Sequence, residues 1–148
     1  MAISQAMCTL FKKDLLLGDH HLDTDDIRIA LYTSSASLDA TTDGYTTSNE
    51  ITNTSGSAYS AGGLQLSSVA VTENSTSGVF DAADPEWTSA SFTANGALIY
   101  NKTLGDASSN ARGAIAVLAF GGDFTVSGGT FKIVFPAATA SNAIVRID

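Results

Sequence analysis

Apolar positions near the N-terminus recur at helical spacing. Over residues 3–17 they recur near i, i+4, i+7 and i+8, which predicts one amphipathic helix. The stripe consists of Ile3, Met7, Leu10, Phe11, Leu15 and Leu17. Ser4 is a candidate N-cap, Gly18 stands where a C-cap glycine is expected, and residues 12–14 fall near the opposite face. We expect this helix either to pack on its own domain or to dock as an arm on a partner chain.

From residue 26 the period of the pattern changes to two. Ile27, Ile29 and Leu31 alternate with their neighbours, as in a strand with one buried face. Residues 33–63 then lack such a pattern and are rich in Ser, Thr, Gly, Asn and Ala. A connection of this length usually has a role, and its hydroxyl groups can order it by bonding to nearby backbone.

The remaining chain is a series of short apolar strands separated by polar or glycine-rich turns. Residues 113–120 are almost wholly apolar, which is expected of a strand buried on both faces. Glycine pairs at 121–122 and 128–129 bracket a short strand. The dipeptide at 95–96, Asn-Gly, predicts either a hairpin or a bulge within one continuous strand.

Regularly spaced strands without intervening helices predict an all-β fold. The expected architecture is an antiparallel β-sandwich, jelly-roll-like, preceded by the short N-terminal amphipathic helix. Its layers are expected to bury Trp87 and the seven phenylalanines. We divide the chain into an N-terminal helix or arm at residues 1–25 and a β-sandwich domain at residues 26–148.

Composition excludes several classes of function. The 148 residues include 15 acidic and 7 basic side chains, for a formal net charge of -8. No Lys or Arg occurs between Arg28 and Lys102, so a nucleic-acid partner is not expected. The chain has no apolar run long enough for a membrane span and no secretory signal pattern. Cys8 is the only cysteine, so no intrachain disulfide can form.

The polar motifs do not build a recognisable reaction centre. His20 and His21 precede several aspartates, but adjacent histidines on an extended chain point to opposite faces, and the spacing fits no common metal site. Asp81 and Glu86 resemble a glycosidase pair only in type, since side chains so close along a turn usually just expose charge. We predict no catalytic, cofactor-binding or metal-binding residues, no cofactor, and a protein that is not an enzyme.

Three sites match the N-glycosylation sequon, at Asn53, Asn74 and Asn101. Without a secretion route, we interpret all three as polar turn chemistry.

Several short segments follow one another in an order that is typical of a known protein family. They include IALYTSSASLDA at residues 29–40, ALIYN at 97–101, AVLAFG at 116–121 and FPAA at 135–138. Over about residues 26–147 the chain resembles a family of small virion structural proteins of tailed bacteriophages, of the capsid decoration (cement) type or related fibre components.

The resemblance implies a β-sandwich that binds the major capsid protein across subunit boundaries and stabilises the shell. It also implies a homodimer or homotrimer on the capsid exterior, assembled in the host cytoplasm, without nucleic acid or membrane contacts. The candidate partner-contact residues are Ile3, Met7 and Phe11 on the helical stripe, and Tyr45 and Tyr59 in the long connection. The alternative is a tail or fibre-associated receptor-binding module whose loop tyrosines contact surface glycans.

Overall fold

A computed structural model describes residues 2–52 and 56–148 of the chain. Within these residues the elements are β1 (Ala6–Met7), α1 (Thr9–Leu16), β2 (Ile27–Tyr32), β3 (Leu64–Gln65), β4 (Ala70–Asn74), β5 (Ser77–Asp81), β6 (Glu86–Asn101), α2 (Lys102–Asp106), β7 (Ala114–Lys132) and β8 (Val145–Ile147). None of the helices in this part of the chain is long and apolar enough to cross a membrane.

The strands form two antiparallel sheets. The larger sheet has the order β1-β7-β6-β2-β3, and the smaller has the order β4-β5-β8. Side chains from both sheets share one core, in which Ile29, Leu98 and Val117 come from the larger sheet and Phe80 from the smaller. The predicted all-β, sandwich-like fold with a short N-terminal helix is confirmed.

The N-terminal segment differs from the predicted helix. Residues 6–7 form a strand on β7, and the helix begins only after Cys8, which caps it without a side-chain hydrogen bond. Ser4 instead donates its backbone N–H to the carbonyl of Leu38. Pairing with distant strands satisfies these backbone groups, and this tertiary contact overrides the helical spacing.

The predicted faces of the helix are also partly wrong. Leu17, assigned to the apolar stripe, is 64 % exposed. Asp14, assigned to the opposite face, is 3 % exposed, and its carboxylate accepts a hydrogen bond of 3.1 Å from Nε of Arg112. Gly18 lies just after the helix with a φ of +78°, as expected of a glycine that ends a helix.

Two glycine-rich regions are not turns but irregularities within long strands. Residues 86–101 form the single strand β6, so the bulge alternative for Asn95 and Gly96 is the right one. Likewise β7 continues through both glycine pairs, at residues 121–122 and 128–129. Bulges take up extra residues without ending a ladder, and glycine tolerates their unusual backbone angles.

The sequon asparagines that the structure describes have local roles. Asn74 ends β4 at the turn into β5, and buried Asn101 caps α2 by accepting the backbone N–H of Leu104. Both fit the prediction of turn chemistry, whereas Asn53 lies outside the described residues.

Candidate interaction surfaces

The long connection is held against the sheet by a buried carboxylate. Glu50 is 7 % exposed, and its Oε1 accepts hydrogen bonds from the hydroxyl of Tyr59 (2.6 Å) and the backbone N–H of Gly62 (2.7 Å). Its Oε2 accepts a hydrogen bond of 2.6 Å from the hydroxyl of Tyr45. Three donors from one loop therefore converge on a single side chain.

The other two tyrosines join this loop to the strands. The hydroxyl of Tyr100 on β6 donates to the carbonyl of Gly62 (2.7 Å), and its ring stacks on Tyr45 with centroids 4.9 Å apart. The hydroxyl of Tyr32 on β2 donates to the carbonyl of Thr46 at 2.7 Å. Burial raises the pKa of all four tyrosines, which keeps them protonated as donors. We call these four tyrosines and Glu50 the tyrosine clasp.

The five predicted contact residues lie in different environments. Phe11 and Tyr59 are 0 % exposed, so in this conformation neither has surface to offer a partner. Tyr45 is half-buried in the tyrosine clasp. Ile3 bridges to Leu38 in the long connection and its side chain lies beside Gly96 on β6, while Met7 pairs with Ala116 on β7. Both keep part of their surface exposed. The residues expected to dock on a partner or to contact glycans thus pack largely against other residues of the same chain.

The cluster around His20 is likewise internal. Its ring is buried, with an edge-on contact to Phe11 (centroids 4.8 Å apart), and burial lowers its pKa. Asn101 donates a hydrogen bond of 2.7 Å to Asp25, and Asp26 pairs with Arg28. No group of three metal-ligating side chains comes together within residues 2–52 and 56–148.

The first apolar surface lies where β6 and β7 extend beyond the other strands. β2 pairs only with residues 96–101 of β6, and β1 only with residues 116–117 of β7. Residues 86–94 and 124–132 therefore form a two-stranded extension, which we call the ribbon. Within the described part of the chain, no strand pairs with the outer edge of β7 along the ribbon.

One face of the ribbon is aromatic. Opposite residues of an antiparallel pair share a face, and the ladder places Trp87 opposite Phe131, and Phe92 opposite Val126. The rings of Phe92 and Phe131 lie 5.1 Å apart, and Phe120 extends the row toward Phe124. Trp87 is 3 % exposed beneath Tyr59, whereas Phe124 is 53 % exposed. The row thus begins in the core and ends at the surface.

The exposed end of this row borders an open groove of about 440 Å³. Its apolar lining consists of Phe120, Phe124, Val126, Phe131, Ile133 and Val134. The opposite face of the ribbon is polar: the hydroxyls of Thr93 and Thr125 lie 2.8 Å apart. An exposed apolar groove rimmed by polar groups is typical of an interaction site. We call it the ribbon groove.

The second apolar surface lies at α1. A smaller cleft between the helix and the smaller sheet is lined by Leu15, Val71 and Ile147, among others, and the last two are 53 % and 48 % exposed. Next to Leu15 in the sequence, Leu16 and Leu17 are 89 % and 64 % exposed. We call these five residues the helix surface.

The helix surface also differs in charge from the rest of the molecule. Lys12 and Lys13 on α1 are exposed and form no ion pair with any described residue. The other five basic residues all pair with a carboxylate. In a protein with a net charge of -8, α1 therefore combines exposed leucines with uncompensated positive charge.

Sequence reasoning missed the ribbon groove because the glycine pairs were interpreted as turns and all phenylalanines as core. The available signal was the alternation of Phe124 and Val126 with polar neighbours, and its return at Phe131 and Ile133. That pattern indicates strand segments with one apolar face, but it does not show whether the face is covered.

No protein-family model, curated protein or solved structure matches the chain.

Proposed function

We propose that this chain is a non-enzymatic virion structural protein of a tailed bacteriophage, which decorates the capsid exterior and stabilises it. It would bind neighbouring major capsid protein subunits after assembly in the host cytoplasm, as a homodimer or homotrimer and without a cofactor. The proposed role comes from the resemblance over residues 26–147 to decoration proteins of tailed bacteriophages. The structural observation that supports it is the presence of two separate apolar surfaces on one small domain.

A decoration protein needs more than one contact surface, because it bridges. The ribbon groove and the helix surface are built from different elements, β6 and β7 on the one hand and α1 with the smaller sheet on the other. A protein that binds only the assembled shell stabilises that state by its binding free energy. With two separate contact surfaces, one molecule can bind two neighbouring capsid subunits at the same time.

The helix surface is the better candidate for the shell contact. An acidic partner surface would repel the net charge of the chain, whereas α1 offers exposed leucines beside two lysines without ion-pair partners among the described residues. Long-range attraction by these lysines would orient α1 toward the partner, and burial of Leu16 and Leu17 would provide affinity.

The test is binding of the purified protein to capsids that lack it. We expect saturable binding to heads, release of DNA at a higher temperature in decorated heads, and loss of both effects in the double variant Leu16→Ser, Leu17→Ser. Ala111→Ser is the control, because Ala111 is exposed but belongs to neither apolar surface. Binding of the control variant should be unchanged.

Two results would overturn the proposal. The protein could be found on purified tails and not on heads, or the isolated domain could bind host cells and ignore capsids. Either outcome would favour the receptor-binding alternative.

A further inference from the structure

The outer edge of β7 along the ribbon is an unusual feature for a free protein. It runs from Asp123 to Lys132 with no strand beside it in the described part of the chain, and a stretch of this length spans about 30 Å. Its exposed backbone groups and the neighbouring ribbon groove together present a template for another strand. An edge of this kind is normally covered, blunted or paired.

The order of residues along this edge is complementary to itself. Suppose that β7 pairs antiparallel with β7 of a second copy, with the two-fold axis between Ser127 and Gly128. Each residue then faces the residue of the other copy whose number brings the sum to 255. Phe124 then faces Phe131 of a second copy, and Asp123 faces Lys132 of that copy. Each of these contacts occurs twice because of the two-fold axis.

The faces agree with this register. Phe124 and Val126 pair with Ala94 and Phe92 on β6, and Gly129 and Phe131 pair with Ala90 and Trp87. The register shifts on either side of Ala90 bring the two halves of this series to the same face, where the ring of Phe131 contacts that of Phe92 and Phe120 contacts both Phe124 and Phe131. The pairing therefore joins two aromatic faces into one continuous apolar surface. Thr125 would face Thr130 of the second copy.

The residues at the centre are the smallest. Ser127 and the two glycines at 128–129 would meet at the axis, and a side chain added at Gly128 would touch nothing within 4 Å in the single chain. Small residues there let two backbones approach closely. At the ends, Nζ of Lys132 lies 3.9 Å from a carboxylate oxygen of Asp84. The side chain of Lys132 is 48 % exposed, so it can also contact a carboxylate of the second copy.

We propose that the chain forms a two-fold dimer through antiparallel pairing of β7 edges, with Asp123 opposite Lys132 and Phe124 opposite Phe131. The proposal deepens the self-association part of the proposed function, on which its biological role rests. The other apolar surface, at α1, stays free on both copies, so a dimer of this kind presents two shell contacts at once.

Charge reversal tests the register. In Lys132→Asp, two aspartates face each other at both ends, and we expect the dimer dissociation constant measured by analytical ultracentrifugation to rise at least about tenfold. The double variant Asp123→Lys, Lys132→Asp restores opposite charges and should restore dimerisation. Lys12→Asp reverses a charge at an exposed position of α1, away from the ribbon. It is the matched control and should leave the dimer dissociation constant unchanged.

Crosslinking tests the same register without changing charge. Burial raises the pKa of the only native thiol, Cys8, to about 12, so introduced cysteines react selectively. A mixture of Thr125→Cys and Thr130→Cys should form a disulfide-linked dimer, whereas each variant alone should not. Circular dichroism of each variant checks that it folds.

A wild-type chain that sediments as a monomer at all concentrations would overturn the dimer. So would crosslinking of each single variant alone as efficiently as the mixture, or failure of the double charge swap to restore association. These outcomes are separable from capsid decoration: a dimer that ignores capsids contradicts decoration and leaves the dimer standing, whereas a monomer that binds capsids contradicts self-association and leaves decoration standing.

Discussion

Among single residues, Glu50 shows how one buried carboxylate can order a long connection. It lies within a connection that has almost no hydrophobic pattern, and its carboxylate accepts hydrogen bonds from Tyr45, Tyr59 and Gly62. A buried carboxylate is tolerated only when such donors replace water. The tyrosine clasp thus adds buried polar contacts to a long connection whose Ala36, Leu38 and Ile51 also pack in the apolar core.

Substitution Glu50→Gln should lower the free energy of unfolding by about 2 kcal/mol, because the amide loses charge-assisted hydrogen bonds and turns a donor toward a donor. Urea titration followed by circular dichroism measures the change. Glu86→Gln is the matched control, since Glu86 is exposed on β6 and should have no effect. Equal stability of the two variants would contradict the role of the clasp.

The tyrosine clasp also determines how the free energy of unfolding responds to alkaline pH. Burial raises the pKa of Tyr32, Tyr45, Tyr59 and Tyr100 above the ordinary value of 10. Below pH 10 the tyrosines are protonated in both states, so their contribution to stability is complete. Above pH 10 the unfolded chain releases protons that the folded chain retains, so the free energy of unfolding should fall as pH rises.

Urea titrations on either side of pH 10, with tyrosinate absorbance as a second signal, check this expectation. Tyrosinate should appear together with loss of circular dichroism. Tyrosinate that forms while the fold remains intact would contradict it.

At the scale of elements, close approach of backbones decides where the long connection can return to the sheet. Gly63 has a φ of +73° just before β3, and a Cβ there would overlap the backbone carbonyl of Ile29 on β2. Strand β3 pairs with β2 at this point, between Leu64 and Ile29. A glycine is therefore required both by the backbone angle and by the neighbouring strand.

Gly63→Ala should cost about 3 kcal/mol of stability, since overlap with a strand backbone adds to the unfavourable φ. Gly121→Ala separates the two effects, because Gly121 has a φ of +81° but nothing near its Cβ position, and it should cost about 1 kcal/mol. Thermal denaturation of both variants measures the difference. An equal loss in the two would show that overlap at Ile29 does not matter.

At the scale of the whole molecule, the N-terminal residues and the sheets share one core. Cys8, Phe11 and Leu22 belong to the same buried cluster as Ile29 and Trp87, although residues 1–25 were assigned to a separate helix or arm. Asp14 on α1 is bonded to Arg112 just before β7. A molecule with a shared core is expected to unfold in one transition.

Phe11→Ala should remove about 3–4 kcal/mol from that transition, because it leaves a cavity in a fully buried site. Fluorescence of Trp87, the only tryptophan, and far-ultraviolet circular dichroism should report the same midpoint. Leu16→Ala is the control, since Leu16 is 89 % exposed on the same helix. A Trp87 transition that is unchanged in Phe11→Ala would show that the N-terminal segment unfolds independently.

The fold class, the position of β2 and the presence of a helix near the N-terminus could be predicted from the amino-acid pattern. Those features depend on local period and composition, which are readable residue by residue. The pattern also identified Asn74 and Asn101 as turn residues, because capping is a local interaction.

The pattern does not show which apolar faces are covered, because the covering residues come from other parts of the chain. Period places Phe11 and Phe124 each on an apolar face, but one is fully enclosed and the other is half-exposed, since cover comes from residues distant in the chain. For the same reason residues 6–7 became a strand on β7, and two glycine pairs became irregularities in one long strand. Exposure and continuity depend on long-range pairing, and the two apolar surfaces appear only when that pairing is known.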